Sequence, residues 1–351
     1  MTEAIASSES VLDVRAVERW AAEHLPLLRP PLQARTIAGG QSNLTYRIDD
    51  AAGGRFVLRR PPLGKTVSRA HNMAREYRIS SALASTAVPV PKVEALCEDP
   101  GVIGASFYLM RWVDGTVVDS PEVAAKALPS PAARHHASQS AVDCLAALHR
   151  LDIDAIGLGT LGPRENYLTR QLSRMREVWE KTKTRDLPVI ESVHERLLAR
   201  CPPQRYTGLV HSDYRLGNLM LDARGTVAAV LDWELSALGD VLVDVALLVA
   251  NWDGPRDSSP GVWMQEAPTR AGEFPDRAWL VARYVESSGF NVSDLDFYLA
   301  FAYWRLAVIG EGIKRRYATG ALGRSGDLAF VEQRILGRAA LAEQFLRRYE
   351  G

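Results

Sequence analysis

The sequence predicts an α+β protein of two lobes, a small N-terminal lobe on an antiparallel β-sheet and a larger, mainly helical C-terminal lobe. Three observations predict it. Strand-like alternation is concentrated in the front of the chain, helical periodicity dominates from about residue 132, and 351 residues are enough for two lobes with separate cores. The lobes are placed at residues 1–109 and 115–351, joined by a hinge at 110–114, where the strand in "LMRWVDGT" runs into a glycine-containing turn.

Residues 12–25 have the apolar spacing of an amphipathic helix. "IAGGQSNLTYRIDD" and "GRFVLRRPP" read as two strands that pair as a hairpin, the first carrying a Gly-Gly turn and the second alternating apolar and polar residues. "SRAHNMAREYRISSAL" is helical in period, and "VPKVEALCED" and "SFYLMRWVDG" return to strand character. In the helical part, "GPRDSSPGVWMQEAPTRAGEFP" is rich in Pro, Gly and Ser and is expected to form a long surface loop with freedom to move.

With 42 basic and 42 acidic residues the chain has no global field to recruit nucleic acid or an anionic membrane, so charge selectivity must be local. Cys97, Cys144 and Cys201 are scattered and lack CxxC spacing, which fits a reduced protein without structural zinc. The start "MTEAIASSESVLDVRAVERW" lacks the basic-then-apolar pattern of a secretion signal, and no uncharged apolar run reaches membrane-spanning length. A cytoplasmic protein without membrane insertion is expected, and a homodimer is compatible with this composition.

The chemistry is concentrated in "LVHSDYRLGNLML", where a strand-like apolar run is broken by ionisable residues that a core strand would not tolerate unpaired. His211, Asp213 and Asn218, with Asp232 fourteen residues later, match the pattern H-x-D-x-x-x-x-N followed by a metal-binding aspartate. A hydroxyl attacking a γ-phosphate needs a carboxylate to accept its proton, which assigns Asp213 as base. Magnesium prefers hard oxygen ligands, which Asn218 and Asp232 supply. His211 is read as a brace for the loop rather than a participant in the chemistry. Read without its partners, "HSDYRLGN" is a polar turn between two strands. Upstream, "GGQSNLTY" sits where a hairpin would cover phosphates with its backbone N–H groups, with Gly40, Ser42 and Asn43 as the small residues that permit it. Arg59 on the next strand and Glu76 on the following helix occupy the places of a phosphate-binding cation and the glutamate that holds it.

The stretches "VLRRPP", "REYRI", "HSDYRLGNLMLD" and "VLDWELSALGDVLVDVA" together resemble the aminoglycoside phosphotransferase family of kinase-like enzymes, over about residues 33–320. "LGTLGPRENYLTRQLSRMREVWE" and "FYLAFAYWRLAVIGEGIKRR" are similar to the branch related to the kinase-like domain fused to animal acyl-CoA dehydrogenases. The resemblance implies a bilobal protein-kinase-like fold, ATP or GTP as phosphate donor, and Mg2+. It implies Asp213 as catalytic base, Asn218 and Asp232 as metal ligands, and Arg59 with Glu76 as the phosphate-orienting pair. It also implies that the backbone of Met110, Arg111, Trp112 and Val113 meets the adenine, with Arg215 in a supporting place. Glu234 is left with two readings, contact with a metal-bound water or a hold on the loop, while Asp240 and Asp244 are expected to brace backbone. Two departures stand out: Ser212 where many relatives have glycine, and Arg59 where most kinases have lysine.

For the acceptor, residues 164–186 carry seven basic and four acidic side chains, and Arg170, Arg174 and Lys181 share a helical face. Such a face reads equally as a solvated helix laced with ion pairs. As a binding surface, with Arg170 and Arg174 as contacts, it selects an anionic small molecule and repels polycationic aminoglycosides. A hydroxyacyl-CoA or related lipid-derived metabolite fits, in line with the branch resembled. Trp179, Phe297, Tyr298, Tyr303 and Trp304 read as core before pocket. The competing expectation is a non-catalytic nucleotide-binding partner of acyl-CoA or lipid oxidation enzymes. An acyl-CoA dehydrogenase is excluded by the lack of a dinucleotide fingerprint, and a protein kinase is disfavoured by the lack of an Ala-Pro-Glu signature after "WELSALGD".

Overall fold

Alternation along neighbouring strands builds the first sheet in the computed structural model, which describes residues 12–37, 43–62, 72–253, 267–320 and 328–351. The described residues fall into two units, the first drawn from Met1–Asp114 with Ala229–Leu235 and the second from Gly115–Ala228 with Ser236–Gly351.

In the first unit, strands β1 (Gln33–Thr36), β2 (Leu44–Asp49), β3 (Arg55–Arg60), β4 (Val93–Cys97) and β5 (Phe107–Arg111) form an antiparallel sheet in the order β1-β2-β3-β5-β4. The expected hairpin is β2–β3. Asp50 shapes its turn by accepting from the backbone N–H groups of Ala52 and Gly54 at 3.0 and 2.6 Å, while Gly53 takes φ +81°. Side chains alternate across the sheet. Tyr46, Ile48, Phe56, Leu58, Phe107 and Leu109 face a core closed by Val17, Ala21 and Leu25 from the amphipathic helix α1 (Val14–His24) and its end. The opposite parity, Thr45, Arg59 and Tyr108, lies in register across β2, β3 and β5 on the other face. Helix α2 (Met73–Leu83) starts at an Asn72 cap whose side chain accepts from the Arg75 N–H. Strand β1 was not anticipated: "QART" is short, mostly exposed and without an alternating apolar face.

The second unit is mainly helical: α3 (Pro121–Ala127), α4 (Pro131–His149), α5 (Tyr167–Thr182), α6 (Pro188–Ala199), α7 (Leu242–Ala250), α8 (Arg277–Ser288), α9 (Leu295–Ala318) and α10 (Leu328–Glu350). Short strands interrupt them: β6 (Thr116–Val117), β7 (Thr207–Val210), β8 (Leu219–Leu221), β9 (Val227–Val230), whose last two residues belong to the first unit, and β10 (Ala237–Asp240). Helix α7 is buried along its whole length and α9 from Phe297 to Val308, as expected of helices that are apolar all round. The five aromatics singled out above are all buried in this unit, so they serve as core. Within the expected long loop, residues 254–266 lie outside the described residues, and Pro268–Ala271 forms a turn of 3-10 helix. Among the described residues, no helix is long and apolar enough to cross a membrane.

Candidate active site

On the first unit, the parity that buries Leu58 sends Arg59 to the opposite face of the sheet, toward α2. There it meets three carboxylates. Its Nε lies 3.2 Å from Glu76 Oε2, and its Nη2 lies 2.5 Å from Asp232 Oδ1 and 3.4 Å from Glu234 Oε2. The Tyr108 hydroxyl donates to Glu76 Oε2 at 3.2 Å, and the Asn43 amide donates to Glu76 at 3.3 Å and to Glu234 at 2.9 Å. Burial drives the Glu76 carboxyl up to about 7, against the opposing pull of Arg59 and the Tyr108 hydroxyl. The surrounding acids hold the Arg59 guanidinium firmly charged despite its burial. Asp232 itself sits at φ +66°, in the left-handed region that aspartate tolerates better than most residues, and its side chain remains 31% exposed.

The expected nucleotide-contact residues of this unit occupy distinct places. The Asn43 side chain is engaged with the carboxylates, and Glu234 Oε2 meets both the Asn43 amide at 2.9 Å and Arg59 Nη2 at 3.4 Å. Met110 and Arg111 end β5, where Arg111 Nε donates to Glu94 at 2.6 Å. The Trp112 N–H donates to the Arg55 carbonyl at 3.1 Å, and Val113 is half-buried. Gly40 and Ser42 lie outside the described residues. Tyr108 was not anticipated, because only the β3–β5 register brings it beside Arg59.

On the second unit, β7 pairs with β10 and delivers the chain into the loop of His211, Ser212 and Asp213. Asp244, fully buried at the start of α7, pins that loop. Its Oδ2 accepts from the His211 N–H at 2.6 Å and its Oδ1 from the Ser212 N–H at 2.8 Å, so it braces backbone as expected. Behind it, the buried His149 places Nε2 3.4 Å from Asp244 Oδ2 and Nδ1 2.8 Å from the Tyr284 hydroxyl. His211 is fully buried, and its Nδ1 accepts from the Asp213 N–H at 3.3 Å. Asn218 donates its amide to the Asp213 carbonyl at 2.8 Å and to Asp213 Oδ2 at 2.7 Å, directing its nitrogen inward onto the aspartate. Arg215 Nε lies 3.4 Å from the same carboxylate oxygen, and its guanidinium lies over Gly217, where a Cβ would displace it. Of the acidic-metabolite candidates, Arg170 donates to the Pro163 carbonyl at 2.9 Å and Arg174 is exposed on α5. Their neighbours Arg176 and Lys183 form ion pairs with Glu180 and Glu191.

Two measurements probe this framework. Ser212 has φ +71°, while its hydroxyl lies 3.2 Å from the buried Tyr167 hydroxyl. Ser212→Ala loses that hydrogen bond and keeps the strain; Ser212→Gly loses the bond and relieves it. We expect the glycine variant to be the more stable of the two by about 1 kcal/mol in denaturant unfolding, and the reverse order would refute the strain. Asp240, at the end of β10, is fully buried and accepts from the Tyr298 hydroxyl at 2.7 Å. Burial raises its carboxyl from 3.8 to about 6. Its stabilising contribution is complete below about 3.8 and is lost as pH rises through about 6, because the protonated form is the one the fold favours. Asp240→Asn removes this titration. Its unfolding free energy relative to the parent chain should climb across that window by roughly 3 kcal/mol, and parallel pH curves would contradict the assignment.

The chain matches the phosphotransferase enzyme family, APH, over residues 33–280. It is 34% identical over 296 residues to acyl-CoA dehydrogenase family member 10 of Mus musculus, an alignment covering 83% of this chain and 27% of that protein. The chain therefore spans about a quarter of that relative's length. A crystal structure from Ralstonia eutropha, provisionally assigned as an aminoglycoside phosphotransferase, superposes with a TM-score of 0.81 at 34% identity, covering 96% of this chain and 99% of that one. The ADP-bound aminoglycoside phosphotransferase APH(2'')-Ib shares the fold at a TM-score of 0.59 and 15% identity, covering 95% and 99%.

Proposed function

Because this chain belongs to the phosphotransferase enzyme family, we propose that it transfers the γ-phosphate of ATP, or of GTP, to a hydroxyl of a small anionic metabolite. The observation that carries this reading is the Asp213–Asn218 pair, with a carboxylate held by a neighbouring amide on a loop whose backbone is pinned by a buried aspartate. Asp213 accepts the proton of the attacking hydroxyl, while Asn218 and Arg215 hold its carboxylate in one orientation. Arg59 faces the donor's phosphates, and Glu76 with Tyr108 keeps its guanidinium in place. The Met110–Val113 backbone meets the base.

Asn218 and Asp232 each offer a hard oxygen to Mg2+, and the donor chemistry suits that ion. Among the described residues no cluster of three or more His, Cys, Asp or Glu could hold a metal. Magnesium takes few protein ligands and completes its shell with phosphate and water. When bound, magnesium would neutralise charge on the transferring phosphate oxygens. The anionic acceptor is favoured by the basic face of α5, and a hydroxyacyl-CoA or lipid-derived alcohol by the likeness to a relative named as an acyl-CoA dehydrogenase family member. Thermal denaturation with ATP, GTP and ADP, with and without magnesium, followed by phosphate-transfer assays on β-hydroxyacyl-CoAs and aminoglycosides, tests the reading. Magnesium-dependent stabilisation by ATP and transfer to an anionic alcohol are expected; absence of both, or transfer to aminoglycosides alone, would overturn it.

A further inference from the structure

Helix α9 runs through the second unit with no exposed residue between Phe297 and Val308, yet it carries a charge in the middle of that stretch. Arg305 is only 8% exposed, and its Nε and Nη1 are buried without a hydrogen-bond acceptor among the described residues. A guanidinium cannot shed its charge to relieve this, so its burial without a counterion costs several kcal/mol, on the order of the penalties known for unpaired buried ions. A chain that retains such a group has a use for it.

Its surroundings locate that use. Arg305 lies seven residues from Tyr298 and so shares its face of α9, and Tyr298 meets Asp240 on β10. Tyr167 packs so closely on the neighbouring Gly239 that a Cβ there would collide with its ring. Its hydroxyl lies 3.2 Å from Ser212, next to Asp213. The positive charge of Arg305 acts on that Tyr167 phenol and partly offsets the rise caused by burial. Helix α5, which begins at Tyr167, packs on α9, so Arg305 lies within electrostatic reach of the phenol that meets Ser212 in the proton-accepting loop. Asp244 also acts on this phenol, but its two carboxylate oxygens are occupied by the His211 and Ser212 N–H groups.

We propose that Arg305 is the anion-recognising residue of the acceptor site, receiving a carboxylate or phosphate group of the molecule whose hydroxyl is phosphorylated. The proposal rests on the phosphotransferase reading and sharpens it, replacing the surface arginines of α5 by a desolvated one. A buried planar fork binds such a group through paired, charge-assisted hydrogen bonds that water does not weaken. The free protein carries the cost of the unpaired charge, and the correct acceptor removes it. Neutral alcohols bring no such compensation and polycations oppose it, which makes one side chain a filter for acceptor charge.

The test is binding to the full chain, so it needs no turnover. Calorimetric titration and thermal denaturation would use β-hydroxybutyrate, glycerol phosphate, coenzyme A and β-hydroxybutyryl-CoA separately, with ADP as control, for the parent chain, Arg305→Met and Arg305→Lys. The three chemistries distinguish a carboxylate, a simple phosphate and the coenzyme's phosphates as the group bound. At least one anion should bind the parent chain saturably, bind the methionine variant at least about tenfold more weakly, and bind the lysine variant with intermediate affinity. ADP affinity should be unchanged. The ligand-free methionine variant should melt at the same or a higher temperature, since an apolar side chain replaces an unpaired ion. Failure of all four to bind, equal binding by the variants, a loss of ADP affinity in their place, or lower melting of both ligand-free variants would each overturn the proposal. An inactive parent chain that still shows Arg305-dependent anion binding would instead sink the phosphotransferase reading and leave Arg305 as an anion-binding residue without an acceptor role.

Discussion

Replacing Asp213 by asparagine should lower kcat by about two to four orders of magnitude while leaving nucleotide affinity almost intact. A positioned general base contributes about 10²–10⁴-fold, and asparagine cannot take up the proton of the attacking hydroxyl. It can keep the local geometry. Its side-chain oxygen remains able to accept from the Asn218 amide, now 2.7 Å from the carboxylate, and the backbone anchor on Asp244 is untouched. The loss should therefore appear in the chemical step, seen in single-turnover phosphate transfer, with the ADP-induced rise in Tm preserved. Wild-type turnover in this variant would remove Asp213 from the mechanism.

The second large effect concerns Arg59. Removing it by Arg59→Met leaves Glu76, Asp232 and Glu234 facing one another without a cation, around a glutamate whose side chain is 2% exposed. Breaking a buried pair from one side costs about 3–5 kcal/mol. The lower end applies, because Asp232 is 31% exposed and solvent screens its share. We expect a loss of about 3 kcal/mol in denaturant unfolding, together with disappearance of the ATP-induced thermal shift. Arg59→Lys restores the charge, but one ammonium cannot present separate nitrogens to Glu76 and to Asp232, so its stability should fall between the two. A methionine variant as stable as the parent chain would show that the carboxylates do not depend on this cation.

Much of the fold was legible in local pattern. The β2–β3 hairpin followed from alternation, and the H-x-D-x-x-x-x-N spacing isolated the loop that Asp244 pins. What local pattern cannot show is pairing over long separation. Asp232 meets Arg59 across 173 residues, and Tyr108 reaches Glu76 only through the register of β3 on β5. The brace behind the loop, His149 with Tyr284, joins positions 135 residues apart. Arg305 did leave a signal. An arginine inside "FAYWRLAVIG", a run apolar on every side, had to be buried wherever the helix was buried. The basic residues of α5 drew attention by their number, although Arg176 and, just past the helix end, Lys183 are engaged in ordinary ion pairs with Glu180.

The grouping of Ala229–Leu235 with Met1–Asp114 bears on how such a protein can be taken apart. A polypeptide ending at Asp114 would hold every strand of the first sheet and still be unfinished, since two of the three acids around Arg59 are encoded more than a hundred residues downstream. The units are therefore not consecutive cassettes. A chimera spliced at that boundary would bring its own arginine to a stranger's aspartate, and recombination among relatives must exchange the seven-residue insert together with the front of the gene or break the cluster.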